Sequence, residues 1–231
     1  MPVNNQKLFF HPKPLTMMNR SKEEITFMEN CRYLGLKYLE AEYTHIIQQA
    51  NASNIGFSQF IRQIIQNEAN AKKERSIGYR IKESHLPQPY KLLEDFDFTF
   101  QPGLRKKLIM DLAGLEFFLQ KESVLFIGDP GTGKSHLAQA LTFRACQKRY
   151  KVFYTTCSDM LNDLNQGVYE KTLVSRLKRY VAPELLVIDE MGHDRLELEV
   201  TKEAHLLFKV INERYNREKS LIFTTNVYEE D

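Results

Sequence analysis

The sequence predicts an α/β protein, a parallel sheet covered by helices and preceded by a small helical region. Three observations carry this expectation. Residues 21–89 show only helical periodicity. From Ser123 onward, short apolar runs alternate with helical stretches. The runs are continuously apolar instead of alternating, the pattern of strands buried on both faces.

Residues 1–20 carry Pro2, Pro12 and Pro14 with little periodicity and read as a loose arm. A helical stripe follows at Phe27, Cys31, Leu34, Tyr38, Ala41 and His45, spaced by four and three. His45 on that stripe reads as a packed histidine more than a ligand. After a break over residues 51–56, Phe57, Phe60, Ile61, Ile64, Ile65 and Glu68 mark the face of a second helix. Two such helices joined by a short turn read as an antiparallel pair. Pro87 and Pro89 close the helical domain, which takes residues 21–89, and the core takes 90–231. An aromatic stretch, Phe96 to Phe100, suits an extended path across another domain, and a helix follows Pro102 with a stripe of Leu104, Leu108, Leu112, Leu115 and Leu119. The strands are VLFIGD (124–129), KVFYTT (151–156), LLVIDE (185–190) and LIFTTN (221–226). Helices are expected over 135–149, 158–166, 170–180 and 201–217, the last using Ala204, Leu207, Phe208, Ile211 and Tyr215 as its face.

Composition narrows the class. Of 231 residues, 42% are apolar and 27% charged, which excludes wholesale disorder. No apolar run reaches the roughly 18 residues of a membrane span, and the start has no signal-peptide core. Cys31, Cys146 and Cys157 form no CxxC pair, so they read as reduced thiols of a cytoplasmic protein. Residues 1–90 hold 12 Lys/Arg against 8 Asp/Glu, and the remainder 20 against 22. A polyanion would touch the first part more readily, although a solvated surface explains the balance about as well.

The chemistry sits at strand ends. Gly128-Asp129-Pro130-Gly131-Thr132-Gly133-Lys134-Ser135 fits the phosphate-loop pattern G-x-x-x-x-G-K-S/T, between a predicted strand and a predicted helix. Such a loop curls its N–H groups around an anion, and the helix behind it aims its positive end at the same place. Lys134 can reach the β- and γ-phosphates of ATP, and the Ser135 hydroxyl can hold Mg²⁺. With His136 next in line, residues 128–136 form the expected cofactor-binding set. Asp189 and Glu190 end the third apolar strand, where α/β ligands bind. Asp189 is placed for the Mg²⁺ shell and Glu190 for polarising the attacking water. Asn226 closes the fourth strand and either orients that water or simply makes a turn.

GDPGTGKSHLAQAL, LLVIDEMGH, the helix with LLFKVINERY and the IFTTN strand together resemble the IstB/DnaC-type AAA+ ATPases. The upstream LPQPYKLLEDFDFTFQPGL resembles the linker of the IstB branch, ATP-binding helpers of a transposase. The likeness spans residues 30–231. It implies an ATPase that uses ATP and Mg²⁺, assembles as a homo-oligomer on duplex DNA, and assists its transposase in target-site selection. By that match Lys134 and Ser135 are Walker A residues, Asp189 and Glu190 Walker B, and Asn226 the first sensor. Catalytic roles fall to Lys134, Glu190 and Asn226. In that family the arginine finger and second sensor follow the sensor strand. Arg195, Arg214 and Arg217 precede it here, so an incomplete C-terminus and slow turnover are expected.

DNA contacts do not carry over by motif. Lys72, Lys73, Arg75, Arg80 and Lys82 form one candidate patch, and Arg176, Lys178 and Arg179 another; each reads more readily as a solvated helix face than as a phosphate-binding surface. A DnaC-like replicative helicase loader and a remnant that binds ATP without efficient turnover are the alternative functions. A small-molecule kinase lacks an evident acceptor pocket or Arg-rich lid in the sequence.

Overall fold

The computed structural model describes residues 21–53, 55–191 and 200–227. The chain divides between Lys72 and Lys73 into two compact units. That division falls inside a helix, and Pro87 and Pro89 lie within the second unit.

In the first unit, α1 (Lys22–Leu34) opens on a capping box, with the Ser21 hydroxyl accepting from the Glu24 N–H and the Glu24 carboxylate accepting from the Ser21 N–H. Gly35 ends it at φ 69°, with its N–H on the Arg32 carbonyl and the Leu36 N–H on the Cys31 carbonyl. The single helix expected across Phe27 to His45 is therefore two, because Gly35 supplies the left-handed turn. In α2 (Lys37–Ser53) the buried residue is Ile46, and His45 is exposed. The third helix, α3 (Phe57–Glu83), buries Glu68, whose carboxylate accepts from the Leu39 N–H at 2.9 Å. Phe60 and Ile64 share that half-buried side, whereas Phe57, Ile61 and Ile65 are exposed. The expected apolar face is thus half core and half surface.

The second unit holds four strands, β1 (Val124–Ile127), β2 (Val152–Thr156), β3 (Leu185–Met191) and β4 (Leu221–Thr225). All pair in parallel, in the order β1-β4-β3-β2. Leu185, Leu186, Val187, Ile188 and Ile222 are fully buried, as continuous apolar strands require. The outer edge of β2 is met by the end of α3, where the Tyr154 N–H donates to the Ser84 carbonyl at 2.7 Å. At the other edge, Leu125 and Ile127 of β1 remain about half exposed.

Helices α4 (Lys106–Gly114) and α5 (Glu116–Leu119) are separated by Leu115 at φ 65°, which breaks the single helix expected after Pro102. Helix α6 (Lys134–Gln147) packs Leu137, Ala138, Leu141 and Ala145 against the sheet. The aromatic stretch turns back onto this unit: Phe96 and Phe98 pack beside Ile109, Leu137 and Ala140. On the opposite side lie α7 (Cys157–Tyr169), α8 (Leu173–Val181) and α9 (Val200–Tyr215). The expected face of α9 is rotated. Leu206, Val210 and Arg214 are buried, whereas Phe208 and Tyr215 are 63% and 79% exposed. An arginine on the inward stripe defeats a reading based on apolar spacing.

Candidate functional site

The loop after β1 is anchored at both ends. Gly128 donates its N–H to the Thr225 carbonyl on β4 at 3.3 Å, and the Thr132 hydroxyl donates to the Asp129 carbonyl at 2.8 Å. Gly131 and Gly133 adopt φ 79° and 92°, which only glycine takes readily. Gly133 is also constrained from outside, since a Cβ there would meet the Phe96 ring at 2.7 Å. Helix α6 starts at Lys134, so the N–H groups of Lys134, Ser135 and His136 have no carbonyl within the helix. Free N–H groups at a helix start are suited to binding an anion.

Lys134 bends its ammonium onto the loop's own carbonyls, at 2.6 Å from Gly128 and 2.8 Å from Asp129. That contact folds the loop around the cation and keeps the charge beside the N–H groups. The His136 ring is turned away to the Leu92 carbonyl at 2.7 Å, with Phe96 edge-on at 5.2 Å. The side chain of His136 thus fastens the linker to α6, which leaves its backbone N–H as the part available to the expected cofactor set. Pro130 and Asp129 stand exposed on the loop.

Beneath the loop, the Ser135 hydroxyl donates to Asp189 Oδ1 at 2.9 Å. Asp189 is 4% exposed and accepts three further hydrogen bonds: Oδ1 also takes the Thr224 hydroxyl and, at 3.2 Å, the Glu190 N–H, while Oδ2 takes the Tyr154 hydroxyl. Burial first, then the carboxylate that accepts its proton, pushes the Tyr154 phenol far above its usual range. Tyr154 is therefore a permanent donor. Glu190 sits at φ 59°, a left-handed conformation that a side-chain-bearing residue adopts at a cost of order 1–3 kcal/mol. The Thr224 hydroxyl holds it there, accepting the Glu190 N–H at 2.9 Å. The carboxylate of Glu190 is left exposed at the sheet's C-terminal edge beside Asp189. Asn226 follows β4 by one residue and is half-buried, next to Thr225, whose hydroxyl donates to the Met191 carbonyl at 2.7 Å.

Sequence reasoning left Tyr154, Thr224 and Phe96 without roles. Thr224 lies on a strand already singled out, but hydroxyl-to-carboxylate contacts across strands need the register. Tyr154 sits among the apolar residues of β2, with no motif to mark it.

The two basic patches are rearranged. On α3, Lys73 and Arg80 lie seven residues apart on one face, and Arg75 and Lys82 on a roughly opposite one. Lys72 is exposed in the first unit. Arg176 is committed internally, to Asp163, to Glu170 at 2.7 Å and to the Thr172 hydroxyl at 3.2 Å. It is not free for a polyanion. Arg214 is fully buried and Arg217 pairs with Glu213 at 3.1 Å, whereas Arg195 lies outside the described residues.

The donor set fits a nucleoside triphosphate and its metal: unpaired helix N–H groups, a lysine, and a hydroxyl–carboxylate pair offering hard oxygen ligands. A parallel sheet with this loop on its edge strand and an acidic pair on its neighbour-but-one defines a P-loop nucleotide-binding protein with an AAA+ arrangement. The chain belongs to the family of IstB-like ATP-binding proteins, whose family model matches residues 30–230.

Relatives agree. The ATP-binding protein of insertion sequence IS5376 from Geobacillus stearothermophilus is 36% identical over 198 residues, covering 86% of this chain and 77% of the relative. That of insertion sequence IS232 from Bacillus thuringiensis subsp. berliner is 32% identical, covering 91% and 81%. Among solved structures, AMPPCP-bound DnaA from Aquifex aeolicus is alike in fold, with a TM-score of 0.54 at 21% identity over 63% of this chain and 44% of that one. The chain thus spans less than half the length of that DnaA. The DnaC helicase loader gives a TM-score of 0.53 at 25% identity, covering 62% of this chain and 81% of the loader. Among the described residues no helix is long and apolar enough to cross a membrane.

Proposed function

We propose that this protein hydrolyses ATP and, as a homo-oligomer on duplex DNA in the cytoplasm, assists a partner transposase in target-site selection. The observation that carries the chemistry is the Ser135–Asp189 pair directly beneath the Lys134 loop, with Glu190 beside it. Insertion-sequence ATP-binding relatives support the setting.

In this reading the backbone of residues 128–136 cradles the phosphates, and Lys134 leaves the loop carbonyls for the phosphate oxygens. Ser135 and Asp189 would hold Mg²⁺, which when bound supplies charge neutralisation at the phosphates. Glu190, exposed at the end of β3, accepts a proton from the attacking water. Asn226 orients the same water. Lys134→Ala is expected to lose most affinity for a fluorescent ATP analogue, whereas Glu190→Gln retains it and loses phosphate release, typically by about 10²–10⁴-fold. Unchanged analogue affinity in the Lys134 variant would remove the assignment.

The likeness to the DnaC loader favours a second reading, in which the partner is a replicative helicase. Co-purification with each candidate partner in the presence of ATP separates the two.

A further inference from the structure

Residues far apart in sequence meet outside the first half of β2. The end of α3 brings Tyr79, Arg80 and Glu83, the start of β2 brings Lys151, and the end of α8 brings Lys178 and Arg179, around a groove of about 340 Å³. All belong to the second unit. Lys151 precedes β2 while the nucleotide loop follows β1, so the groove and the loop occupy opposite ends of a parallel sheet.

Charge in the groove is unbalanced. Four cations line it against one carboxylate, Glu83. Of these four cations, only Arg179 has an ion-pair partner among the described residues, Asp163 at a long 3.8 Å. The Nε of Arg80 is buried and has no hydrogen-bond partner. Lys219, at the same end of the sheet, has its ammonium held below its ordinary range by burial first and then by Arg214 and Arg217, with Glu184 opposing and Lys151 adding to the repulsion. Clustered like charges of this kind repel one another until an anion neutralises them.

The residue types specify the anion. Guanidinium and ammonium groups side by side suit phosphate oxygens, and the groove offers no Asn, Gln or Ser array for base edges. Tyr79 and His85 are the exposed rings of the lining, and His85 is already packed on Phe153, which leaves too few for the successive stacking platforms that grip a single strand. We infer that this groove holds the phosphate backbone of duplex DNA, an inference that rests on the DNA-bound reading above and assigns the contact to Arg80, Lys151, Lys178 and Arg179. It joins one residue of the first basic patch to two of the second and adds Lys151, which neither contained.

The test is a salt titration of the full chain, with a non-hydrolysed ATP analogue, binding a fluorescent mixed-sequence duplex. Lys151→Ala with Lys178→Ala is compared with a control that removes two exposed lysines outside the groove, Lys91→Ala with Lys107→Ala. Both pairs are on the surface, and analogue affinity verifies that each variant is folded. Each lost phosphate contact takes about 0.9 from the slope of log K against log salt. The groove variant is expected to bind with a slope shallower by about 1.8, while the control keeps the wild-type slope. A groove variant with the wild-type slope overturns the assignment and leaves DNA binding standing. A wild-type chain that captures inorganic polyphosphate but not the duplex, or neither, overturns both.

Discussion

Tyr154 is the side chain whose role is least expected from its neighbours in sequence. It lies at 5% exposure within β2, yet its hydroxyl reaches the carboxylate that Ser135 also touches. Without that donor, Asp189 Oδ2 would be left in a dry environment with no proton to accept, and the carboxylate would be free to turn away from Ser135. Tyr154→Phe keeps the ring and its packing and deletes only the donor. The expected outcome is specific to the metal: affinity for an ATP analogue without Mg²⁺ stays as in the wild type, while the gain in affinity on adding Mg²⁺ shrinks several-fold. Calorimetric titration with and without the ion checks it. An equal loss under both conditions would mean that the ring merely supports the sheet. Glu190 depends on Thr224 in the same way, since a backbone at φ 59° is kept only where surrounding groups hold it.

At the scale of elements, the legibility of the fold divides along physical lines. The four strands are readable because each is an apolar run, as burial on both faces requires of β3, although one face of β1 is half exposed; the ends of β1 and β3 carry the loop and the acidic pair. Helix breaks were harder. Gly35 interrupts a stripe that continues past it by accident of spacing, and Leu115 adopts a left-handed turn that leucine does not advertise. Helix α9 is legible but its face is rotated, because the inward residue of its last turn is Arg214. That guanidinium donates to the carbonyls of Tyr180, Pro183, Glu184 and Ser220 at 2.6–3.1 Å, tying the turn before β3 to the turn before β4. Burial lowers its pKa to about 10, still well above neutrality, so the charge persists inside. Arg214→Met fills the space but strands four acceptors, and a loss of about 3 kcal/mol is expected. Arg214→Lys should fall between, since an ammonium reaches fewer carbonyls at once. Urea midpoints at constant slope measure both; a Met variant as stable as the wild type would mean that the turns are held by other contacts.

For the whole molecule, the division at Lys72 and Lys73 sets how ligand energy spreads. Every residue of the nucleotide site lies in the second unit, together with all three apolar clusters that hold the sheet and its helices. The first unit has its own small interior, built from Met28, Cys31, Ile46 and the Glu68 carboxylate. A ligand stabilises only what must be folded to bind it, by about 2.7 kcal/mol at a hundred times its dissociation constant. Amides of β1, β3, β4 and α6 should therefore exchange about a hundredfold more slowly with saturating ATP analogue and Mg²⁺, wherever exchange proceeds through opening of that unit. Amides of α1 and α2 should keep their rates, because opening the first unit does not release the nucleotide. Peptide-resolved hydrogen exchange, with and without analogue, measures both in one experiment. Equal slowing across α1, α2 and the sheet would show that the two units open together, and that α3, which is continuous across their boundary, transmits the binding energy to the N-terminal helices.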